Sequence, residues 1–398
     1  MIREAFVQRV RAGDTRERLA RRDAPLHVCR LPGGARAALA AALLEVNAPV
    51  VVVIAHGPGE AEAVQADLDF LLGVGISRYF PQRETLPYED ADPHVEIAGQ
   101  RIDALAALLG GRTRLLVTTA RALIERSPIP ASEGFSLTLE VGEEIAHSAL
   151  TKRLGAMGFE RVHTVQELGE FAVRGGIVDV FPFGKDLPLR IELWGDEIAS
   201  LRPFDLLSQR SVAELEEVEI LPVDLDVDAA LHEDRTERRS LLELLPEAAL
   251  LLELRPGDTG ERFRRLWEET VQGRQEAEGD HALDPDQLVL PPRAAEEQLS
   301  VLSRIHVAHG GSADGDPSDG GLDALLVEPP PAVERDMARL ATLVGRARSA
   351  GERVLVLCDN DGQLERLEQI LDERAGVELA RYPTLAIGSL SGGFRLSG

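Results

Sequence analysis

The stretch Val28–Leu44, VCRLPGGARAALAAALL, decides how the front of this 398-residue chain is read. A short apolar run leads into the pair Gly33-Gly34. An alanine-rich helical segment follows, and then a second apolar run, Val50–Ala55, VVVVIA. That is the strand–turn–helix–strand plan of a phosphate-binding loop, whose glycines let backbone N–H groups close around phosphate oxygens. A working loop reads G-x-x-x-x-G-K-[ST], with the lysine on the terminal phosphates and the hydroxyl on magnesium. Here Gly33 and Gly34 are followed by Ala35, Arg36, Ala37 and Ala38. Arg36 can approach a phosphate, but no Ser or Thr follows it, and no apolar strand in this region ends in Asp-Glu to hold the metal. The stretch therefore predicts the fold of an ATPase without its chemistry, with no catalytic residue and no nucleotide cofactor. The glycine pair keeps a structural use, a tight turn and a close helix approach.

Outward from this stretch, strand-like runs (Leu26–Cys29, Val50–Ala55, Leu115–Thr118) alternate with helical ones (Arg36–Val46, Glu60–Leu72, Val95–Leu109). Such alternation predicts an α/β parallel sheet covered by helices. Near Pro130–Glu133 the texture changes. Helical Ala146–Met157 precedes a β-rich region, Thr164–Pro203, with turns at Gly175-Gly176, Gly184 and Gly195-Asp196. This reads as a small α+β domain built on hairpins. From Asp224 the chain is acidic, and αβ character returns in a strand within Ala248–Leu254, a helix at Glu261–Gly273, and helix–strand–helix over 332–375. Gly310–Gly321, GGSADGDPSDGG, reads as a linker. The expected division is 1–132, 133–223 and 224–398, with a flexible loop at 310–321. The chain ends on IGSLSGGFRLSG with no closing helix and reads as a piece of something longer.

Composition narrows the function. Apolar residues make up 44%, enough for real cores, and aromatics only 4%, so those cores are Leu, Val, Ile and Ala. The net charge is −25. Val212–Ser300 holds 9 Arg against 24 Asp plus Glu, a net of −15, and repels nucleic acid, whose binding needs cations to displace counterions. The Arg-rich first 24 residues remain a place for salt-sensitive DNA contact. The two cysteines, Cys29 and Cys358, lie in or beside apolar runs and fit buried thiols in a reducing cytoplasm. No apolar run reaches a membrane span of about 20 residues, and no secretory signal opens the chain. His232-Glu233-Asp234 lacks a second His at ligand spacing and reads as a solvated helix end, and His306 and His309 read as ordinary, so no metal site is expected.

The region where the surface can act is Gly169–Ser211. As a strand, Leu189–Trp194 points Leu189, Ile191 and Leu193 to the core and Arg190, Glu192 and Trp194 outward. Arg190 and Trp194 then share a face about 13 Å apart, and Arg174 before the Gly175-Gly176 turn extends the patch. Trp and Arg are the residue types enriched where proteins bind. The periodicity equally allows Trp194 to fold over the hairpin end with Arg190 paired to Glu192 or Asp196.

Three ordered blocks carry a family resemblance. They are Phe80-Pro81-Gln82-Arg83-Glu84-Thr85-Leu86-Pro87-Tyr88-Glu89 with Asp92-Pro93-His94 and Arg101; Val117-Thr118-Thr119 through Arg126-Ser127-Pro128; and Gly158–Ser211, with Arg174-Gly175-Gly176, Asp179-Val180-Phe181-Pro182, Arg190-Ile191-Glu192, Gly195-Asp196-Glu197-Ile198 and Gln209-Arg210-Ser211. In these the chain resembles the N-terminal region of the bacterial transcription-repair coupling factors, the Mfd family, firmly over about Leu26–Val223 and again at IGSLSGGF. The third block is also similar to domain 2 of the excision-repair protein UvrB. The resemblance implies degenerate helicase-like (RecA-type) domains 1a (1–132) and 1b (224–398), with a UvrA-binding domain 2 (133–223) inserted between them. It carries the UvrA contacts onto Arg174, Arg190 and Trp194, the last standing where the family often has Phe. The UvrB-type tyrosine-rich DNA hairpin is short here, with Tyr88 alone in Arg83–Val95. Family segments that bind RNA polymerase and DNA, and hydrolyse ATP with magnesium, are expected beyond Gly398. The implied role is to recruit UvrA to stalled transcription complexes in the cytoplasm; the alternative is a UvrB-like DNA-dependent ATPase.

Overall fold

A computed structural model describes residues 2–12, 25–28, 31–45, 49–89, 95–129, 136–223, 237–277, 283–307, 327–334, 336–376, 379 and 381–396. Cys29, His94, His232-Glu233-Asp234, His309 and the 310–321 loop lie outside these residues. The chain is α/β and divides into two compact units. One comprises Met1–Ala48, Glu62–Ser77 and Arg304–Gly398; the other comprises Pro49–Ala61 and Arg78–Ser303.

In the first unit, strand Leu26–Val28 pairs in parallel with the strand Ser303–Val307, Leu26 opposite Ile305 and Val28 opposite Val307. The next helix, Ala35–Glu45, buries Ala35 and every residue from Ala37 to Leu43. Small side chains all round a helix let neighbours pack on every face. One neighbour is the N-terminal helix Ile2–Ala12, which inserts Phe6, Val7 and Val10 into the core. Of the helix or loose arm that the Arg-rich first 24 residues allow, residues 2–12 form a packed helix. Strands Leu355–Cys358 and Thr384–Ile387 pair in parallel, and helices Met337–Ser349 and Asp361–Ala375 pack through buried Ala341 and Leu371. Cys358 is a buried free thiol.

The second unit holds a parallel sheet in the order Leu250–Glu253, Val51–Ala55, Leu115–Thr119, Arg78–Phe80. Its central strands are buried at every residue, the pattern of parallel strands covered on both faces. Residues 237–303, expected within the third sequential segment, pack in this unit. Leu250 to Glu253 pair with Val51 to Ile54, and Phe263 and Leu266 of the helix Pro256–Glu276 enter the same core. The remainder of that segment, from Arg304, belongs to the other unit.

Within the second unit, residues 136–223 make a separate hydrophobic core under a five-stranded sheet. The order is Glu197–Pro203, Leu189–Trp194, Ile177–Val180, Glu170–Arg174, Glu160–Val162, antiparallel except for the last pair. A two-stranded sheet, Leu137–Glu140 with Glu217–Ile220, and the helix His147–Ala156 complete it. Gly99 on the helix Val95–Leu109 fixes this body in place. A Cβ there would lie 2.0 Å from the Phe183 ring, so only a bare backbone admits the phenylalanine.

Candidate protein-binding site

The strand Leu189–Trp194 alternates as its period requires. Leu189, Ile191 and Leu193 are buried, Arg190 and Glu192 are half-buried, and Trp194 is 84% exposed. The turn at Gly195, φ +66°, leads into the partner strand, where Glu197 sits opposite Trp194. The Gly175-Gly176 turn lies at the same end of the sheet. Leu193 N–H donates to the Gly176 carbonyl at 2.7 Å, and a Cβ on Gly176 would sit 2.8 Å from the Leu193 oxygen, so glycine is required for this approach.

The two arginines meet on a residue that the pattern did not single out for a role. Asp179 lies opposite Arg190 in the antiparallel register and is 1% exposed, between Val178 and Val180. Its Oδ1 accepts from Arg190 Nε at 2.7 Å and its Oδ2 from Arg190 Nη2 at 2.9 Å, a forked pair, while Arg174 Nη2 also donates to Oδ2. Arg190 is held further by the Gln209 carbonyl, 3.2 Å from Nη1, and its guanidinium lies 4.4 Å from the centre of the Phe204 ring. The hydrogen bonds from Arg190 to Asp179 raise the arginine pKa further above its ordinary value. Arg190 is therefore paired, but with Asp179 and not with Glu192 or Asp196. Glu192 instead accepts from the Ser200 hydroxyl at 2.9 Å and lies 3.5 Å from Arg202. Nor does Trp194 fold back onto the hairpin end, because its ring stands in solvent.

A second exposed apolar side chain belongs to the turn that Arg190 clasps. Asp205 Oδ1 accepts the Ser208 N–H at 2.7 Å, Gln209 N–H donates to the Asp205 carbonyl at 2.8 Å, and Gln209 adopts φ +58°. The Ser208 N–H holds the Asp205 carboxyl below its usual range. This turn displays Leu207, 97% exposed. The sequence signal for Asp179 was present as an acid inside an apolar strand, Ile177-Val178-Asp179-Val180. For Leu207 there was no signal beyond the turn itself. Arg174 and Arg190 are thus held on one buried carboxylate, on the same sheet as an exposed indole, and Trp and Arg are the residue types enriched where proteins bind.

Elsewhere, Gly33 adopts φ +48° at the start of the Ala35–Glu45 helix, and Arg36 Nε donates to the Leu31 carbonyl at 3.3 Å. Among the described residues no cluster of three or more His, Cys, Asp or Glu could hold a metal ion, and no helix is long and apolar enough to cross a membrane.

Residues 137–225 match the UvrB interaction domain. The match begins at the first strand of the hairpin body and covers all of that body's described residues from Leu137 to Val223. The chain is also similar to transcription-repair-coupling factors. It is 30% identical to that of Escherichia coli K12 over 249 residues, 62% of this chain and 19% of the relative. It is 38% identical to that of Mycobacterium tuberculosis CDC 1551 over 194 residues, 46% of this chain and 15% of the relative. It is 33% identical to that of Bacillus subtilis 168 over 194 residues, 48% of this chain and 16% of the relative. The matched stretch thus spans less than a fifth of these relatives' length. The fold, a mainly parallel sheet with a separate hairpin body, is consistent with a UvrB-like arrangement, and the similarity is to factors that couple transcription to DNA repair.

Proposed function

We propose that this chain is the N-terminal UvrB-like part of a transcription-repair-coupling factor and that it recruits UvrA by protein–protein binding through residues 133–223. Trp194 is the central anchor, and Arg174 and Arg190 form the cationic edge beside it. Regions 1–132 and 224–398 are the degenerate 1a and 1b domains of this reading. They bind no nucleotide or metal cofactor and catalyse no reaction, while RNA polymerase, DNA, ATP and magnesium are engaged by other parts of the full-length cytoplasmic factor. The observation that carries the proposal is Trp194. A large indole at 84% exposure, within the matched domain, is free to meet a partner.

The test is a titration of the chain with purified UvrA at moderate salt, wild type beside Trp194→Ala and Arg174→Ala. Truncating a hot-spot tryptophan costs about 2 kcal/mol, about thirty-fold in Kd. Arg190→Glu is a poorer probe, because it would set a carboxylate against buried Asp179 and disturb the sheet itself. Unchanged affinity in the Trp194→Ala, Arg174→Ala double variant would remove this face from the interface. Failure of the wild type to bind would remove UvrA.

A further inference from the structure

The Gly33-Gly34 turn is not an open cradle. The segment Gly388–Phe394, read in the sequence only as part of a resemblance, lies directly on it. Gly34 N–H donates to the Gly392 carbonyl at 2.8 Å. In a phosphate-binding loop such an amide faces a phosphate oxygen; here a peptide oxygen of the same chain takes its hydrogen bond. The approach is close enough that a Cβ on Gly33 would lie 2.1 Å from that oxygen, and one on Gly34 would lie 3.0 Å from the Leu390 side chain. Leu390 therefore roofs the turn while Gly392 caps it.

A buried carboxylate secures the same segment. Asp67 is 2% exposed, and its two oxygens accept from the Ser391 N–H and the Ser391 hydroxyl, each at 2.6 Å. This reads both donors of one serine in a single forked contact. The Arg36 guanidinium, the cation left where the sequence lacks a lysine, acts electrostatically on Asp67. A carboxylate at this place repels phosphate and draws on the Arg36 charge that a phosphate would need. Aromatic contacts fasten both ends of the segment. Gly388 lies against Phe70, where a Cβ would be 2.0 Å from the ring, and Phe394 meets Phe6 edge to face with centroids 5.6 Å apart.

We propose that the Gly33-Gly34 turn, with Asp67, is a docking site for the chain's own Gly388–Phe394 segment, and that this segment closes the phosphate position of the turn to nucleotides. The glycines once suited to phosphate now admit a peptide carbonyl, and the specificity lies in Asp67 reading Ser391. This site does not depend on the UvrA reading, since it uses neither Trp194 nor the hairpin body.

Hydrogen exchange by mass spectrometry on the 398-residue chain tests it. In the wild type, amides in 388–394 are protected. Ser391→Ala, which removes only an exposed residue's hydroxyl, and Asp67→Ala should each raise exchange there by about ten-fold, the loss of one hydrogen bond. Asp67→Asn, which can still accept the Ser391 N–H and donate to its hydroxyl, should restore most of the protection. Strands Val51–Ala55 and Leu115–Thr119 should exchange alike in all four proteins, which separates release of the segment from unfolding. Unaltered exchange of 388–394 in Ser391→Ala and Asp67→Ala would overturn the docking. In a second arm, millimolar inorganic pyrophosphate or Mg-ATP should leave 33–36 and 388–394 unchanged. Protection gained at 33–36 with 388–394 released would show a turn that still takes phosphate and would overturn the closure.

Discussion

At Gly33-Gly34 the chain's own backbone covers the turn, with the Gly392 oxygen on the Gly34 amide and Leu390 above it. At Gly175 and Gly195 an added Cβ would meet nothing within 4 Å among the described residues, and Trp194 beside them stands in solvent. Both regions began as glycines between apolar runs, and both set an arginine against a buried aspartate: Arg190 is ion-paired with Asp179, while Arg36 acts on Asp67 only electrostatically. In the first, the aspartate holds a covering segment down and the surface is closed. In the second, it holds the arginines in place and leaves an indole free. The turn chemistry is shared; what the neighbouring chain does with it separates a closed site from an open one.

The largest effect expected on this contrast comes from Asp179→Ala. It leaves the half-buried Arg190, and with it Arg174, without a counter-charge in a sheet interior where the carboxylate was 1% exposed. Removing one partner of a buried pair costs about 3 kcal/mol or more. The variant should lower the urea midpoint of the hairpin body and weaken partner binding together. A stable Asp179→Ala protein would mean that Gln209 and Phe204 alone are enough to hold Arg190.

The two turns can then be compared by the same substitution. Gly33→Ala meets both a φ of +48° and the Gly392 oxygen, so strain and overlap add to about 3 kcal/mol. Gly175→Ala meets only a φ of +62° in open space and should cost about 1 kcal/mol. Thermal unfolding of the two variants side by side ranks them. Equal costs would mean that the covering segment yields freely. Smaller again is the effect of Trp194→Ala on stability, within about 0.5 kcal/mol because the ring is exposed, although it is the substitution expected to hurt binding most cleanly. A large loss of stability there would make Trp194 a folding residue and remove it from the partner face.

How far the sequence showed these two regions depends on the distance between the residues involved. The outward set Arg190, Glu192 and Trp194 was legible because a strand's period is two and Leu189, Ile191 and Leu193 fix its phase. The helix Ala35–Glu45 and the strand Val51–Ala55 were legible for the same local reason. Asp179 was not, since an acid in an apolar strand acquires meaning only when the antiparallel register sets it opposite Arg190. The pairing of 250–253 with 51–54, which draws residues 237–303 into the second unit, lies beyond any local period. So does the cover over Gly33-Gly34, whose partners in 388–394 are separated from it by most of the chain. The missing lysine was visible in the sequence, but what had taken the place of phosphate was not.

The finest probe of the closed turn is its response to pH. Burial raises the Asp67 pKa above its ordinary 3.8, against the opposing pull of the Ser391 donors and the Arg36 charge. A carboxyl whose folded pKa is raised is relatively better off protonated in the fold. Its contribution is fully present below the ordinary value and is lost as pH rises through the folded one. The protection of 388–394 in the wild type, corrected for the intrinsic pH dependence of exchange and compared with Asp67→Asn, should therefore fall as pH rises above the ordinary carboxylate value. The asparagine chain, having no proton to lose at this position, serves as the level baseline for that comparison. A difference that grows with pH would mean the Ser391 donors outweigh burial, so that the charged carboxylate itself tightens the docking. The closed turn would then resemble the open one, where an ionised aspartate is the fixed point of the site.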